Sequence, residues 1–69
     1  MKLTINGTEE TLPQETLTVT ELLKAKNVEM PEMVSVELNG EFVERATFDT
    51  IRVRDSDKVE FLYFMGGGI

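Results

Sequence analysis

Lys58-Val59-Glu60-Phe61-Leu62-Tyr63-Phe64 is the most strand-like run of the chain, and it leads straight into Met65-Gly66-Gly67-Gly68-Ile69. Side chains along a strand point to opposite faces in turn, so Val59, Phe61 and Tyr63 share one face and Glu60, Leu62 and Phe64 the other. A strand this apolar wants a central place in a sheet whose one face is covered. If the cover lies over Val59 and Phe61, then Leu62 and Phe64 stand on the open face beside the tail. The three glycines that follow form a thin peptide without side chains. Glycine loses more backbone freedom on ordering than any other residue, so such a run adds nothing to a core. Either it is idle or something docks it.

Upstream, Lys2-Leu3-Thr4-Ile5 alternates, Asn6-Gly7 is a strong hairpin signal, and Thr8 to Leu12 can return as a second strand. Pro13 ends the hairpin. The apolar spacing then becomes helical: Val19, Leu22, Leu23 and Lys26 lie on one face, with the lysine stem at its edge. Thr18 with Glu21 three residues later has the sequence of a capping box, and Leu17 and Leu22 occupy the two staple positions. A helix is predicted from about Val19 to about Lys26, with Asn27 to stop it.

Met30-Pro31 marks a loop. Val34-Ser35-Val36-Glu37-Leu38 alternates again and meets a second hairpin dipeptide, Asn39-Gly40, after which Glu41-Phe42-Val43 can return. Arg45 to Thr50 reads as an irregular or single-turn segment anchored by Phe48. Ile51 and Val53 fit a short edge strand, and Asp55-Ser56-Asp57 a polar turn. The order is hairpin, helix, short hairpin, final strand. Setting the last strand parallel to the first, with a right-handed helical crossover, buries Leu3, Ile5, Val59 and Phe61 against Val19, Leu22 and Leu23. The expected class is α+β in the β-grasp layout: a mixed sheet of four to five strands with one main helix across one face.

With 69 residues the chain holds one small domain, taken as residues 1–65 with a flexible glycine tail at 66–69. Its 41% apolar and 29% charged residues are those of an ordinary globular protein. Small domains often rely on disulfide or metal staples, yet there is no cysteine and no histidine here, so packing must hold the fold. The same absences remove the usual zinc sites, a thiol nucleophile and an imidazole base, which argues against a self-contained enzyme. A net charge of −6 disfavours nucleic acid and anionic membrane surfaces and favours a partner with a basic surface. Met1-Lys2-Leu3-Thr4 has no apolar leader pattern and no stretch is long enough to span a membrane, so a cytoplasmic protein is expected.

Four pieces, taken together, resemble a known family. They are Thr18-Val19-Thr20-Glu21-Leu22-Leu23, Val36-Glu37-Leu38-Asn39-Gly40-Glu41, Asp55-Ser56-Asp57-Lys58-Val59-Glu60 and Tyr63-Phe64-Met65-Gly66-Gly67-Gly68. In order and spacing they are similar to ThiS, the sulfur carrier of thiamine biosynthesis, over nearly the whole chain. The resemblance implies a ubiquitin-like β-grasp fold and a protein that is acted upon rather than a catalyst. It implies that an adenylyltransferase of the ThiF type activates the terminal glycine carboxylate with ATP and magnesium, neither of which the carrier binds itself. A sulfur donor protein then supplies sulfur, and thiazole synthase of the ThiG type receives it.

The chemistry fits the residues. A terminal carboxylate converted to thiocarboxylate holds sulfide in a form that can attack an electrophile, and no cysteine is required. The carboxylate must first gain a good leaving group, inside a partner that keeps water from the activated acyl group. A peptide without side chains threads easily into such a channel, which gives Gly66, Gly67 and Gly68 a use. Leu62, Phe64 and Met65, next to the tail, are the candidate partner-binding residues. Family members end at glycine, whereas Ile69 follows Gly68. Either Ile69 is removed and Gly68 becomes the sulfur-bearing end, or the partner has a pocket wide enough for a β-branched residue.

Other features read more plainly. Asp55 and Asp57 lack the further ligands of a calcium loop. Glu9, Glu10, Glu29, Glu32, Glu37 and Glu60 are expected to face solvent, with a second use in meeting a basic partner. Arg45, Arg52 and Arg54 have no spacing that specifies a phosphate site, and Met30 and Met33 suit loop or core packing. Two other glycine-ended classes remain as alternatives, a molybdopterin synthase small subunit and a ubiquitin-like modifier joined to lysines. A third is a non-catalytic β-grasp interaction module.

Overall fold

Asn6 and Asn39 adopt left-handed backbone, with φ of 51° and 52°, and Gly7 and Gly40 follow at 83° and 85°. Two successive residues at positive φ make the type I′ turn that suits the right-handed twist of paired strands. In the computed structural model, which describes residues 1–63, the first turn joins β1 (Lys2–Ile5) to β2 (Thr8–Thr11) and the second joins β4 (Val34–Leu38) to β5 (Glu41–Val43). Both expected hairpins form at the expected dipeptides.

β7 (Lys58–Tyr63) lies between them. It runs parallel to β1, with Ile5 opposite Val59, and antiparallel to β4, with Val36 opposite Phe61, giving the sheet order β2-β1-β7-β4-β5. The helix α1 (Val19–Ala25) supplies the crossover between hairpins and covers one face. Leu3, Ile5, Val34, Val36, Val59 and Phe61 from the sheet are buried with Val19, Leu22 and Leu23 from the helix. The mixed five-stranded sheet with one covering helix is as the residues predicted.

The helix ends are satisfied locally. Thr18 Oγ1 accepts from the Glu21 amide at 3.1 Å, and Glu21 Oε1 accepts from the Thr18 amide at 2.9 Å, closing the capping box. At the other end Asn27 has φ 58°, its amide donates to the Lys24 carbonyl and the Val28 amide donates to the Leu23 carbonyl, which is a Schellman motif. Lys26 does not merely lie along the edge of the face: its ammonium pairs with Glu10 on β2. Glu10 is therefore half-buried and engaged, not simply solvent-facing as its sequence context implied.

One element was not anticipated. Thr16–Thr18 forms a strand, β3, and pairs antiparallel with β6 (Arg52–Arg54) in a separate two-stranded ribbon, Leu17 opposite Val53. The short strand expected around Ile51 and Val53 exists, but its partner is β3 rather than the main sheet. Leu17, Val53 and Phe48 all enter the core, while Ile51 is exposed. The segment before β6 also receives the helix: the Val19 and Thr20 amides donate to the carbonyls of Ile51 and Phe48, each at 3.0 Å, so first-turn donors that have no partner inside the helix are satisfied. At the turn following β6, Asp55 Oδ1 accepts the Lys2 amide at 2.7 Å, and this bond holds its carboxyl below the usual carboxylate range.

Candidate functional site: the open sheet face and the end of the central strand

The helix covers one side of β7 and leaves the other bare. Leu62 points to the bare side and is 45% exposed, as the alternation required. Tyr63 shares the phase of Val59 and Phe61 yet is 54% exposed, although Val34 opposite it is fully buried. Of the other residues expected to form the site, Phe64, Met65, Gly66, Gly67 and Gly68 lie outside the described residues, as do Ile69 and the boundary between domain and tail.

Strand register completes the bare face. Ser35 stands opposite Leu62, and the next rung runs Phe42, Glu37, Glu60 across β5, β4 and β7. Phe42 is 65% exposed, the largest exposure among the large apolar residues described. Like charges directly opposite each other on a sheet destabilise it. Among the described residues the ion pair between Lys26 and Glu10 is the one salt bridge, so Glu37 and Glu60 face each other without a direct ion pair, although Lys58 lines the same hollow. The result is two apolar side chains set about a pair of facing carboxylates. Phe42 and the carboxylate pairing were not singled out by sequence reasoning. The signal was available in the alternation of Phe42 with Val43, but only the register of three strands puts them in one row.

The two hairpin asparagines also hold β7 in place. Asn6 Oδ1 accepts from the Phe61 amide at 2.8 Å, and Asn39 Oδ1 accepts from the Lys58 amide at 2.9 Å. Asn39 Nδ2 donates in turn to Asp57 Oδ1 at 3.1 Å. Each asparagine thus serves a turn and a strand at once. Asn6→Gly keeps the positive φ but removes the acceptor, so it is expected to lower stability by about 1 kcal/mol, measured by urea unfolding, and to speed exchange of the Phe61 amide.

On the helix side, an open groove of about 330 Å³ is lined by Leu23, Val28, Pro31, Arg45 and Phe48 among others. Arg45 is committed to structure there: it donates to the Pro31 and Val34 carbonyls at 2.8 and 2.6 Å and stacks on the Phe48 ring at 5.1 Å. Met30 and Met33 are exposed, Met33 in the short 3-10 turn Pro31–Met33. Among the described residues no group of three or more carboxylates is arranged to hold a metal, and no helix is long and apolar enough to cross a membrane.

A mixed sheet clasping one helix, whose central last strand leads to a glycine-rich end, defines a ubiquitin-like β-grasp protein. Comparison narrows the class. The ThiS family model matches residues 2–68, and the chain belongs to the ThiS family. The crystal structure of the thiamine biosynthesis protein ThiS from Geobacter metallireducens is 58% identical and superposes with a TM-score of 0.90, over 99% of this chain and all of that one. A solution structure of a thiamine biosynthesis protein from the same organism is 57% identical with a TM-score of 0.83, covering 100% of this chain and 90% of that one. A thiazole synthase from Paramagnetospirillum magneticum is 40% identical over 68 residues, and the chain spans about a fifth of that relative's length, 20%. The resemblance carried by the four sequence pieces is thereby borne out.

Proposed function

We infer that this protein is a sulfur carrier of thiamine biosynthesis whose working group is the carboxylate of Gly68. The observation that carries the reading is the extent of the family match, which includes all three glycines and stops before Ile69. Removal of Ile69 by a peptidase exposes Gly68. An ATP-using partner of the ThiF type, with magnesium, joins the carboxylate to AMP and releases pyrophosphate. Sulfur delivered by a donor protein at the sulfide level then attacks the acyl carbon, AMP leaves, and the end becomes a thiocarboxylate. Thiazole synthase is the receiver. The likeness of this chain to a fifth of a thiazole synthase supports that pairing, since carrier-like sequence occurs there in the same polypeptide as the synthase.

The carrier itself contributes an address and a substrate. Phe42 and Leu62 offer apolar anchors, and the carboxylates of Glu37 and Glu60 suit a basic rim on the partner. Phe42→Ser with Leu62→Ser is expected to raise the KM of the adenylating partner about tenfold with little change in kcat, the mark of lost ground-state binding. Circular dichroism should remain unchanged, because neither side chain enters the core. Phe64 and Met65, next in sequence, remain candidate partner-binding residues in this reading.

The intact mass of the protein from its native cells tests the proposal. Loss of Ile69 together with the mass change of one oxygen replaced by sulfur is the expected result. A thiocarboxylate on intact Ile69 overturns the processing step, and failure to form any acyl-adenylate or thiocarboxylate with the cognate enzymes overturns the carrier.

A further inference from the structure

β7 is paired on both sides for only part of its length. Successive residues direct their main-chain groups alternately left and right. Lys58 faces β4, where its carbonyl accepts from the Asn39 amide at 2.7 Å, and Glu60 and Leu62 follow in the same phase. Asp57 and Val59 face β1, where their carbonyls accept from the amides of Thr4 and Asn6, each at 3.0 Å. Phe61 and Tyr63 continue in that second phase. β4 accompanies β7 as far as the pair of Val34 with Tyr63. β1 does not: its last paired residue is Ile5, opposite Val59, and the chain turns away at Asn6.

Asn6 closes the ladder with its side chain. In a parallel pair one residue donates its amide to the neighbouring strand and accepts, through its carbonyl, from an amide two residues further along. Asn6 donates to Val59 in the regular way, but at φ 51° its side-chain Oδ1 takes the Phe61 amide at 2.8 Å. Beyond it, among the described residues, the carbonyl of Phe61 and the amide of Tyr63 meet no strand on this side. They form a short open edge, followed in sequence by Phe64, Met65 and the three glycines.

We propose that the adenylating partner adds an extended segment of its own main chain to this edge, pairing with Phe61–Tyr63 as a substitute for the missing length of β1. This rests on the sulfur-carrier reading and states how the partner grips the strand behind the reactive end. A single partner residue opposite Leu62, in parallel register, accepts from the Tyr63 amide and donates to the Phe61 carbonyl. Main-chain pairing of this kind supplies affinity and direction without side chains. It fixes the line along which a tail of glycines, having no side chains to grip, is fed toward the site of adenylation. The edge lies beside Leu62, so strand and open face are engaged together.

Removal of one amide hydrogen tests the pairing. Tyr63→Pro deletes a donor that β4 does not use, and proline is tolerated where its missing N–H would face solvent. A semisynthetic carrier with an ester in place of the Leu62–Tyr63 amide removes the same hydrogen and keeps the tyrosine. Both are expected to melt near the unaltered protein and to lose about tenfold in kcat/KM for adenylation, followed by pyrophosphate release. In the unaltered protein, the Tyr63 amide is expected to exchange freely alone and to become protected when the adenylating enzyme is added. Adenylation at the unaltered kcat/KM in both variants, or an unprotected Tyr63 amide in the formed complex, overturns the proposal. So does protection that rises with carrier concentration without enzyme, which marks a second copy as the occupant. If the unaltered carrier is not adenylated at all, it is the carrier reading that fails, and the proposal with it.

Discussion

Gly67→Val is expected to reduce thiocarboxylate formation by about a hundredfold or more while leaving the melting temperature unchanged. The described buried core is built from residues between Leu3 and Phe61. In the proposed carrier chemistry, however, activation requires the end of the chain to lie within bonding distance of the ATP α-phosphate, in a passage closed to water. A β-branched side chain one residue before the reacting carboxylate is stiff at χ1 and bulky where backbone alone should pass. Small displacements from the attack geometry are known to cost factors of this size. Intact-mass analysis after incubation with the adenylating enzyme, ATP, magnesium and a sulfur source reads the result directly. Loading at the unaltered rate would show that the glycines do not serve to thread the tail.

The second large effect is on stability. Leu22→Ala removes a fully buried side chain from the centre of the helix–sheet contact, where Leu22 is 0% exposed. Substitutions of this kind cost about 2–5 kcal/mol, the lost transfer energy plus the cavity left behind. A chain of 69 residues without disulfide or cysteine has little reserve, since domains in general are stable by only about 5–15 kcal/mol and small ones sit low in that range. A drop of roughly 10–25 °C in melting temperature is expected, with loss of loading activity at 37 °C as the carrier unfolds. A shift of less than about 3 °C would mean that the helix contributes far less to the core than its burial indicates.

The two cases separate what holds the molecule together from what it presents. Leu22 acts through packing, and its position was visible from the spacing Val19, Leu22, Leu23 alone. The capping box at Thr18 and Glu21 and both Asn-Gly turns were equally legible, because each is a short-range device completed within three or four residues. The ribbon of β3 and β6 was not. Three residues are too few to display a period, and the pairing of Leu17 with Val53 joins segments more than thirty residues apart. The Lys26–Glu10 pair was hidden for the same reason: its members belong to different elements that meet only when the helix lies on the sheet.

The candidate site divides in the same way. Leu62 was assigned to the open face from alternation, and the face is where it lies. Phe42, Glu37 and Glu60 became neighbours only through the register of β5, β4 and β7. Asn6 shows the limit most clearly. As a turn residue it was read correctly, but its bond to Phe61 spans 55 positions, and with it the point at which β1 stops accompanying β7.

By itself the sequence determined both hairpins, the helix and its buried face, the central place of the last strand and the glycine end, because all of these follow from local periodicity, turn chemistry and composition. The tertiary structure alone decided which carboxylates oppose each other, which aromatic side chain joins Leu62 on the bare face, and where the edge of β7 opens. Those depend on strand register, and a shift of one residue would have sent every side chain of a strand to the opposite face.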